Sequence, residues 1–189
     1  MAIWQYQLTV LPAAGVEQQL GHLPTQLFID HAGWNRHWAD QPQLADPAIY
    51  DAYTIDWWTD TGVAAQALVD ALDQLLTRVV WNASGTTFYR WKGEPVDHDA
   101  SVAVGPSDGY VSEFTFRTDM RDVEQAVWFL EAVLSICQRH DLLVMDAEGR
   151  LFAPRLRELL PSLEQCTAVR FLINPREFLE QVLRKSDDH

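Results

Sequence analysis

The chain has 189 residues, and its 14 lysines and arginines against 27 aspartates and glutamates give a formal net charge of −13. Hydrophobic residues make up 48% of the chain and charged residues 22%, a composition typical of globular proteins that excludes disordered and fibrous classes. At this length we expect a single domain over residues 1–189. The acidic balance argues against nucleic acid or an anionic membrane as the partner, because both require a basic surface.

The N-terminal segment has neither a basic region nor a long apolar run, and no stretch reaches the roughly 18 apolar residues of a membrane span. The two cysteines, Cys137 and Cys166, lie in separate apolar segments without a metal-binding or redox spacing. Cys137 falls on the apolar face of a predicted helix, where a buried free thiol is expected. The sequence therefore predicts a soluble cytoplasmic protein without a cofactor.

The first half of the chain begins with a strand and contains one strongly periodic helix. Alternating apolar residues predict a strand over Ile3–Leu11, and a second strand is expected over Gln26–Asp30. The stretch 30–60 has no clear period. Because so long a loop is unusual in a compact domain, we expect a short helix within it. Apolar residues at helical spacing predict a long helix over Val63–Val80.

Three short strands separated by turns come next and predict an antiparallel meander. They are expected over Thr86–Trp91, from Ala100 to Val104, and from Tyr110 to Arg117, with Gly105–Gly109 as the second turn. In the third strand, alternation places four residues on one face. These residues are Tyr110, Ser112, Phe114 and Phe116.

The last third of the chain opens with a second long helix that ends at Arg139. Asp122 and Gln125 form the pattern of a capping box at its start. Its buried stripe is expected to consist of Val123, Ala126, Val127, Leu130, Val133, Leu134 and Cys137. The remaining elements are strands over Leu142–Met145 and Arg150–Phe152, a helix from Pro154 that Pro161 stops or kinks, a strand over Ala168–Ile173, and a helix capped by Asn174 that ends near Arg184.

These elements predict an α+β fold in a single domain. A mostly antiparallel sheet is packed against two long helices and one or two short ones. The tail 185–189 is expected to be frayed.

The densest polar cluster consists of Asp30, His31, His37 and Asp40. Imidazoles and carboxylates are ligands for zinc or a harder metal. However, the two histidines are not an i, i+4 pair, and no glutamate is placed as a base, as in His-Glu-x-x-His. A metal site of His31, His37 and Asp40 is therefore kept as an alternative, and a solvated aromatic loop is the favoured interpretation.

A second cluster, Glu94, Asp97, His98 and Asp99, directly precedes a predicted strand. Carboxylates beside an imidazole perform acid–base chemistry when burial separates their pKa values. Because this cluster follows a Gly-Glu-Pro turn, we expect it to be exposed and without a catalytic role. The sequence contains neither a P-loop nor Gly-x-Gly-x-x-Gly, and no catalytic residue is assigned.

The most informative feature is the segment from Asp30 to Asp73, which holds eight acidic residues and one basic residue, Arg36, together with six tryptophans and tyrosines. Aromatic anchors among carboxylates predict a docking face for a basic protein. The predicted contact residues are Trp34, Trp38, Asp46, Asp51, Asp56, Trp57 and Trp58. The alternative is that Trp57 and Trp58 pack onto the sheet while the aspartates are merely solvated.

Six segments, spread over most of the chain, carry a distinctive set of turns, caps and strand ends. They are the Ile3-Trp4-Gln5-Tyr6 start, Asp56-Trp57-Trp58, and residues 89–94, 114–122, 142–152 and 171–179. Together they resemble a family of small uncharacterised bacterial α+β proteins of immunity-protein type. The resemblance implies an interaction protein and supplies no catalytic residue.

The leading hypothesis is a non-enzymatic, acidic binding protein of the immunity or partner-neutralising kind, which covers a basic protein. One alternative is a small metal-dependent hydrolase that uses His31 and His37. Another is a self-associating structural protein, whose homodimer would bury Trp57 and Trp58.

Overall fold

The computed structural model describes residues 3–39, 48–79, 87–105 and 109–175. Seven strands and six helices lie within these ranges. In chain order they are β1 (Gln5–Pro12), α1 (Ala13–Leu20), α2 (His31–Ala39), α3 (Ala65–Asp73), β2 (Thr77–Arg78), β3 (Phe88–Lys92), β4 (Asp99–Val104), β5 (Val111–Asp119), α4 (Val123–Arg139), β6 (Leu142–Met145), β7 (Leu151–Phe152), α5 (Leu156–Gln165) and α6 (Thr167–Ile173).

The strands form one antiparallel sheet in the order β2-β3-β4-β5-β1-β6-β7. The predicted α+β class and the β3–β4–β5 meander are confirmed. β1 lies inside the sheet between β5 and β6, while the two edge strands, β2 and β7, are each two residues long. The short helix expected within the stretch 30–60 is α2.

One face of the sheet forms the core with the helices. α3 packs against β3 and β4, and α4 packs against β5 and β6. The clearest cross-strand row consists of the fully buried Trp91, Ala100, Phe116 and Leu8. The opposite face is more polar, and the hydroxyl groups of Ser101 and Thr115 lie 2.8 Å apart there. Within the described ranges, no helix is long and apolar enough to cross a membrane.

A bulge corrects the predicted alternation of β5. Ala103 pairs with Glu113 but Val104 pairs with Val111, so the register shifts between them. The extra residue reverses the alternation. Val111 is therefore buried with Phe114, whereas Ser112 is exposed and does not share the face of Phe114.

The helix predicted over Val63–Val80 is shorter, because α3 ends at Asp73. Thr77 and Arg78 instead pair with β3, and the Arg78 guanidinium lies over the rings of Tyr89 and Trp91. Arg78 also forms an ion pair with Asp73. These tertiary contacts override the local helical pattern.

Two predictions in the last third of the chain need correction. The predicted stop at Pro161 does not occur, since α5 continues to Gln165 and buries Leu159 and Leu163 around it. The alternative, a kink at Pro161, stays a prediction. The residues predicted as a strand over Ala168–Ile173 form α6, whose start is capped by the Cys166 sulfur 3.5 Å from the Val169 nitrogen.

One further predicted element differs in the structure, and two others lie mostly outside the described residues. Gln26–Asp30 is not a strand and contributes a single bridge, from Gln26 to Arg150. The helix capped by Asn174 and the tail 185–189 fall almost wholly outside the described residues, and here Asn174 ends α6.

The cap of α4 is confirmed, because the Asp122 carboxylate accepts a hydrogen bond from the Gln125 N–H at 3.1 Å. The predicted buried stripe needs correction. Val123 is 69% exposed and Val127 37% exposed, whereas Phe129 and Ile136 are buried in their place.

Candidate functional site

Exposed and half-buried aromatic rings gather on α2 and around Tyr53. We call Trp34, His37, Trp38 and Tyr53 the aromatic patch. The ring centroid of Trp34 lies 5.8 Å from that of His37, and 6.3 Å from those of Trp38 and Tyr53. Trp38 is 68% exposed, so the patch presents a large apolar surface to solvent. Phe28 and Tyr50 are also exposed on neighbouring backbone.

Asp51 holds this patch together from inside the protein. Its carboxylate is buried and accepts hydrogen bonds from the Trp34 indole N–H at 2.7 Å, the Asp30 N–H at 3.0 Å and the Tyr53 N–H at 2.9 Å. The prediction of Asp51 as a surface contact is therefore corrected. A buried carboxylate needs several donors, and these donors fix α2 against the segment around Tyr53.

The adjacent tryptophans are buried as well. Trp57 and Trp58 belong to the core, and the Trp57 indole N–H donates to the Ala52 carbonyl at 2.8 Å. They pack inside the protein, as the alternative interpretation stated, and their rings do not lie on an exposed face. Asp56 is exposed and accepts a hydrogen bond from the Trp58 N–H at 3.0 Å. Asp46 lies outside the described residues.

The alternative metal ligands His31 and His37 do not converge. Both lie on α2, where a six-residue separation places the side chains about 120° apart around the helix axis. His31 Nε2 lies 3.5 Å from a carboxylate oxygen of Glu148, while His37 belongs to the aromatic patch. Asp40 lies outside the described residues. In the part of the chain that the structure covers, no three metal-binding side chains come together.

The cluster around His98 is only partly exposed. Glu94 is exposed as predicted and Asp97 is half-buried, whereas His98 and Asp99 are buried, contrary to the prediction. His98 is 3% exposed, stacks on Phe129 with centroids 4.4 Å apart, and accepts the Asp119 N–H at Nδ1 at 3.0 Å. Asp99 pairs with Arg117 on the other face of the sheet. The imidazole and this carboxylate are thus on opposite faces of the sheet.

Burial lowers the pKa of His98, although the neighbouring Asp119, Asp97 and Asp122 carboxylates raise it. Burial also raises the pKa of Asp119, but hydrogen bonds from Arg121 outweigh this effect and bring it to about 2. Burial and the hydrogen bond accepted at Nδ1 therefore favour the unprotonated form of His98, which lies near the Asp119–Arg121 ion pair.

We expect stability to fall as the pH drops below about 6.5, the pKa of an unfolded histidine. The unfolded chain then binds a proton that folded His98 excludes. Urea unfolding across this range should show a weaker pH dependence for His98→Gln than for the wild-type protein. His140, whose pKa burial also lowers, acts in the same direction in both proteins. An exposed control, His22→Gln, should keep the wild-type slope, and an unchanged slope in His98→Gln would contradict this reading.

A cavity of about 510 Å³ opens beside the aromatic patch, and Tyr53 lines both. Its walls come from the first half of β1, the turn between β6 and β7, and the junction of α5 with α6. The volume lies within the range of small-molecule and side-chain binding sites. The sequence alone does not reveal this pocket, because its walls come from four segments that are far apart in the chain.

The floor of the pocket is a buried polar network centred on Asp146. The Asp146 carboxylate accepts hydrogen bonds from Ser162 Oγ at 2.5 Å and from Arg150 Nε at 2.8 Å. It also accepts the backbone N–H groups of Glu148 and Arg150, each at 3.0 Å. The Tyr6 hydroxyl lies 2.7 Å from Ser162 Oγ and donates to it, since the serine proton is directed at Asp146.

Among the described residues, this network does not contain an activated nucleophile. Ser162 is 1% exposed, and among the described residues no histidine lines the pocket to activate it as a nucleophile. Burial raises the pKa of Cys166, which keeps its sulfur in the less reactive thiol form.

Residues 105–109 read Gly-Pro-Ser-Asp-Gly and match the Gly-x-Ser-x-Gly spacing of a nucleophile elbow. An elbow joins a strand to a helix, whereas this segment joins the antiparallel strands β4 and β5. Its connection is therefore that of a hairpin, and Ser107 itself lies outside the described residues.

Comparison with protein families, curated proteins and solved structures finds no match to this chain. The resemblance to immunity-type proteins therefore stays a prediction.

Proposed function

We propose that this protein acts by binding rather than by catalysis, and that it covers a basic protein partner in the cytoplasm, in the manner of an immunity or partner-neutralising protein. The observation that carries the proposal is the aromatic patch, with Trp38 68% exposed and Trp34 oriented by the buried Asp51. Exposed, rigidly held tryptophan and tyrosine rings are the residues that dominate binding energy at protein interfaces.

The negative charge of the chain favours a basic protein as the partner. The net charge is −13, and the described residues around the patch include Asp30, Asp56 and Glu148 against Arg36. Such a field accelerates the encounter with a basic protein and opposes an acidic one. The aromatic rings then supply the short-range contact that charge alone does not provide.

The two alternatives predict different behaviour. A metal-dependent hydrolase would need ligands beyond His31 and His37, and no third ligand joins them among the described residues. A self-associating protein would use the same aromatic patch between copies of the chain. Sedimentation of the purified protein over a range of concentrations separates self-association from capture of another protein.

Trp38→Ala should abolish most of the partner binding while leaving the fold intact, because the side chain is exposed. Removing an aromatic anchor at an interface costs about 2 kcal/mol or more, which is roughly a thirtyfold loss of affinity. The measurement is capture of proteins from a lysate of the source organism at low and high salt, followed by titration of the captured protein.

Trp128→Ala is the matched control, since Trp128 is also an exposed tryptophan on a helix, at 49% exposure, but lies outside the patch. The proposal requires a basic protein that wild type and Trp128→Ala retain, that Trp38→Ala loses, and that high salt weakens. Equal retention by all three proteins, or capture of an acidic protein, would contradict it.

A further inference from the structure

The pocket beside the aromatic patch contains polar groups that no other described residue uses. Gln7 and Thr9 of β1 line the pocket, and so does Thr167 at the start of α6. Within the described ranges these three side chains form no hydrogen bonds, and neither does the Tyr53 hydroxyl. Their oxygen atoms are free to accept hydrogen bonds from a ligand.

The electrostatics of the pocket favour a cation. Its charged lining consists of Asp146, Glu148 and Arg150, and Arg150 is already paired with Asp146. Glu148 is the lining carboxylate that Arg150 does not neutralise. Its side chain is 65% exposed, and among the described residues only His31 lies within ion-pair distance. Burial raises the pKa of Tyr53, and the Asp146, Asp51 and Glu148 carboxylates raise it further.

The shape favours a cation with an apolar or planar body. The Tyr53 ring forms one wall next to Trp34, and the half-buried Ile3 contributes an apolar wall. A guanidinium group stacks on such rings and donates up to five hydrogen bonds to carboxylate, amide and hydroxyl oxygens. An ammonium group offers three donors and lacks the planar face.

We propose that this pocket binds the guanidinium group of an arginine side chain that the basic partner presents. Glu148 pairs with the guanidinium, Gln7 and Thr9 accept its remaining hydrogen bonds, and the Tyr53 ring covers its face. This inference rests on the proposed function and places the specificity of partner binding in the pocket beside the aromatic patch.

The test titrates the purified protein with N-acetyl-arginine methylamide and follows the backbone amide signals by NMR. N-acetyl-citrulline methylamide is the matched neutral ligand, because it differs by a urea group in place of the guanidinium. The lysine analogue forms a third arm. We expect the arginine probe to bind tightest, with shifts confined to residues that line the pocket, and the citrulline probe to bind at least about fivefold more weakly.

Glu148→Gln should weaken binding of the arginine probe about fivefold and leave the citrulline probe unchanged. The substitution retains the backbone N–H that Glu148 donates to Asp146, so the turn stays intact. Glu164→Gln is the control, as Glu164 is exposed on α5 and does not line the pocket. Tyr53→Leu should weaken the arginine probe more than the lysine probe, since it removes the stacking ring.

Equal binding of the arginine and citrulline probes, or an unchanged affinity in Glu148→Gln, would overturn the proposal. If the arginine probe does not bind while Trp38→Ala still abolishes partner capture, the assignment of the pocket is wrong and the proposed function is retained. If the probe binds to a protein that captures no partner, the guanidinium site stands but its assignment to a partner's side chain is overturned.

Discussion

Replacing Asp146 by alanine is expected to lower the free energy of unfolding by about 3 kcal/mol, because it breaks a largely buried, fully bonded ion pair. Asp146 is 3% exposed and accepts two backbone and two side-chain hydrogen bonds. Its removal leaves Ser162 without its acceptor and Arg150 without its counter-ion. Urea unfolding at neutral pH measures the loss.

Asp122→Ala serves as the control for this prediction. It removes an aspartate that caps α4 at an exposed position, and the loss of such a cap costs about 1 kcal/mol. If the two variants lose the same stability, the Asp146 network contributes no more than an ordinary turn or cap. Asp146→Asn should fall between the two, since it keeps one acceptor oxygen and loses the charge.

Phe129→Ala is expected to lower the free energy of unfolding by about 3–5 kcal/mol, the usual cost of emptying a large core site. Phe129 is fully buried, stacks on His98 and meets the edge of Phe116 with ring centroids 6.2 Å apart. The alanine would leave both rings beside a cavity. Thermal or urea unfolding checks this value.

The comparison is Val127→Ala, two residues away on the same helix. Val127 is 37% exposed, so this change should stay within about 0.5 kcal/mol of wild type, as exposed substitutions usually do. The sequence pattern alone assigned Val127 to the core. Equal losses in the two variants would therefore support the sequence pattern against the packing seen in the structure.

Helix α4 shows what local pattern predicts and what it does not. Its start at Asp122 and its end at Arg139 follow from capping chemistry and period, both of which act within a few residues. Which face of α4 is buried depends on the elements that it packs against. Packing on β5 and β6 buries Phe129 and Ile136. Apolar residues spaced three and four apart define a helical stripe, but they leave the position of its edges open by about one residue.

The stretch that follows α3 shows how tertiary contacts override local preference. Leu75 and Leu76 continue the helical spacing of α3, yet the chain turns and Thr77–Arg78 join the sheet. The cause is distant in sequence, since Arg78 lies over two aromatic rings of β3. The local sequence around Arg78 does not show that these rings lie beside it in the fold.

The candidate site was only partly predictable for the same reason. The tryptophans and aspartates of segment 30–60 are predicted to share one docking face, but in the fold some of them are exposed and others are buried. Trp38 stays exposed, whereas Asp51 and Trp57 are buried. Asp51 is placed inside by the donors that surround it, and a carboxylate in a loop gives no local sign of such donors.

The short edge strands restrict how any partner meets this sheet. Among the described residues, the edge strands β2 and β7 are each two residues long and offer only short ladders to an incoming strand. Natural proteins use such short edges to avoid edge-to-edge pairing. A partner that extended the sheet by β-augmentation would recognise backbone and tolerate varied side chains. Under the proposed function, recognition would therefore depend on side chains, and we expect the surface to distinguish closely related partners by single substitutions.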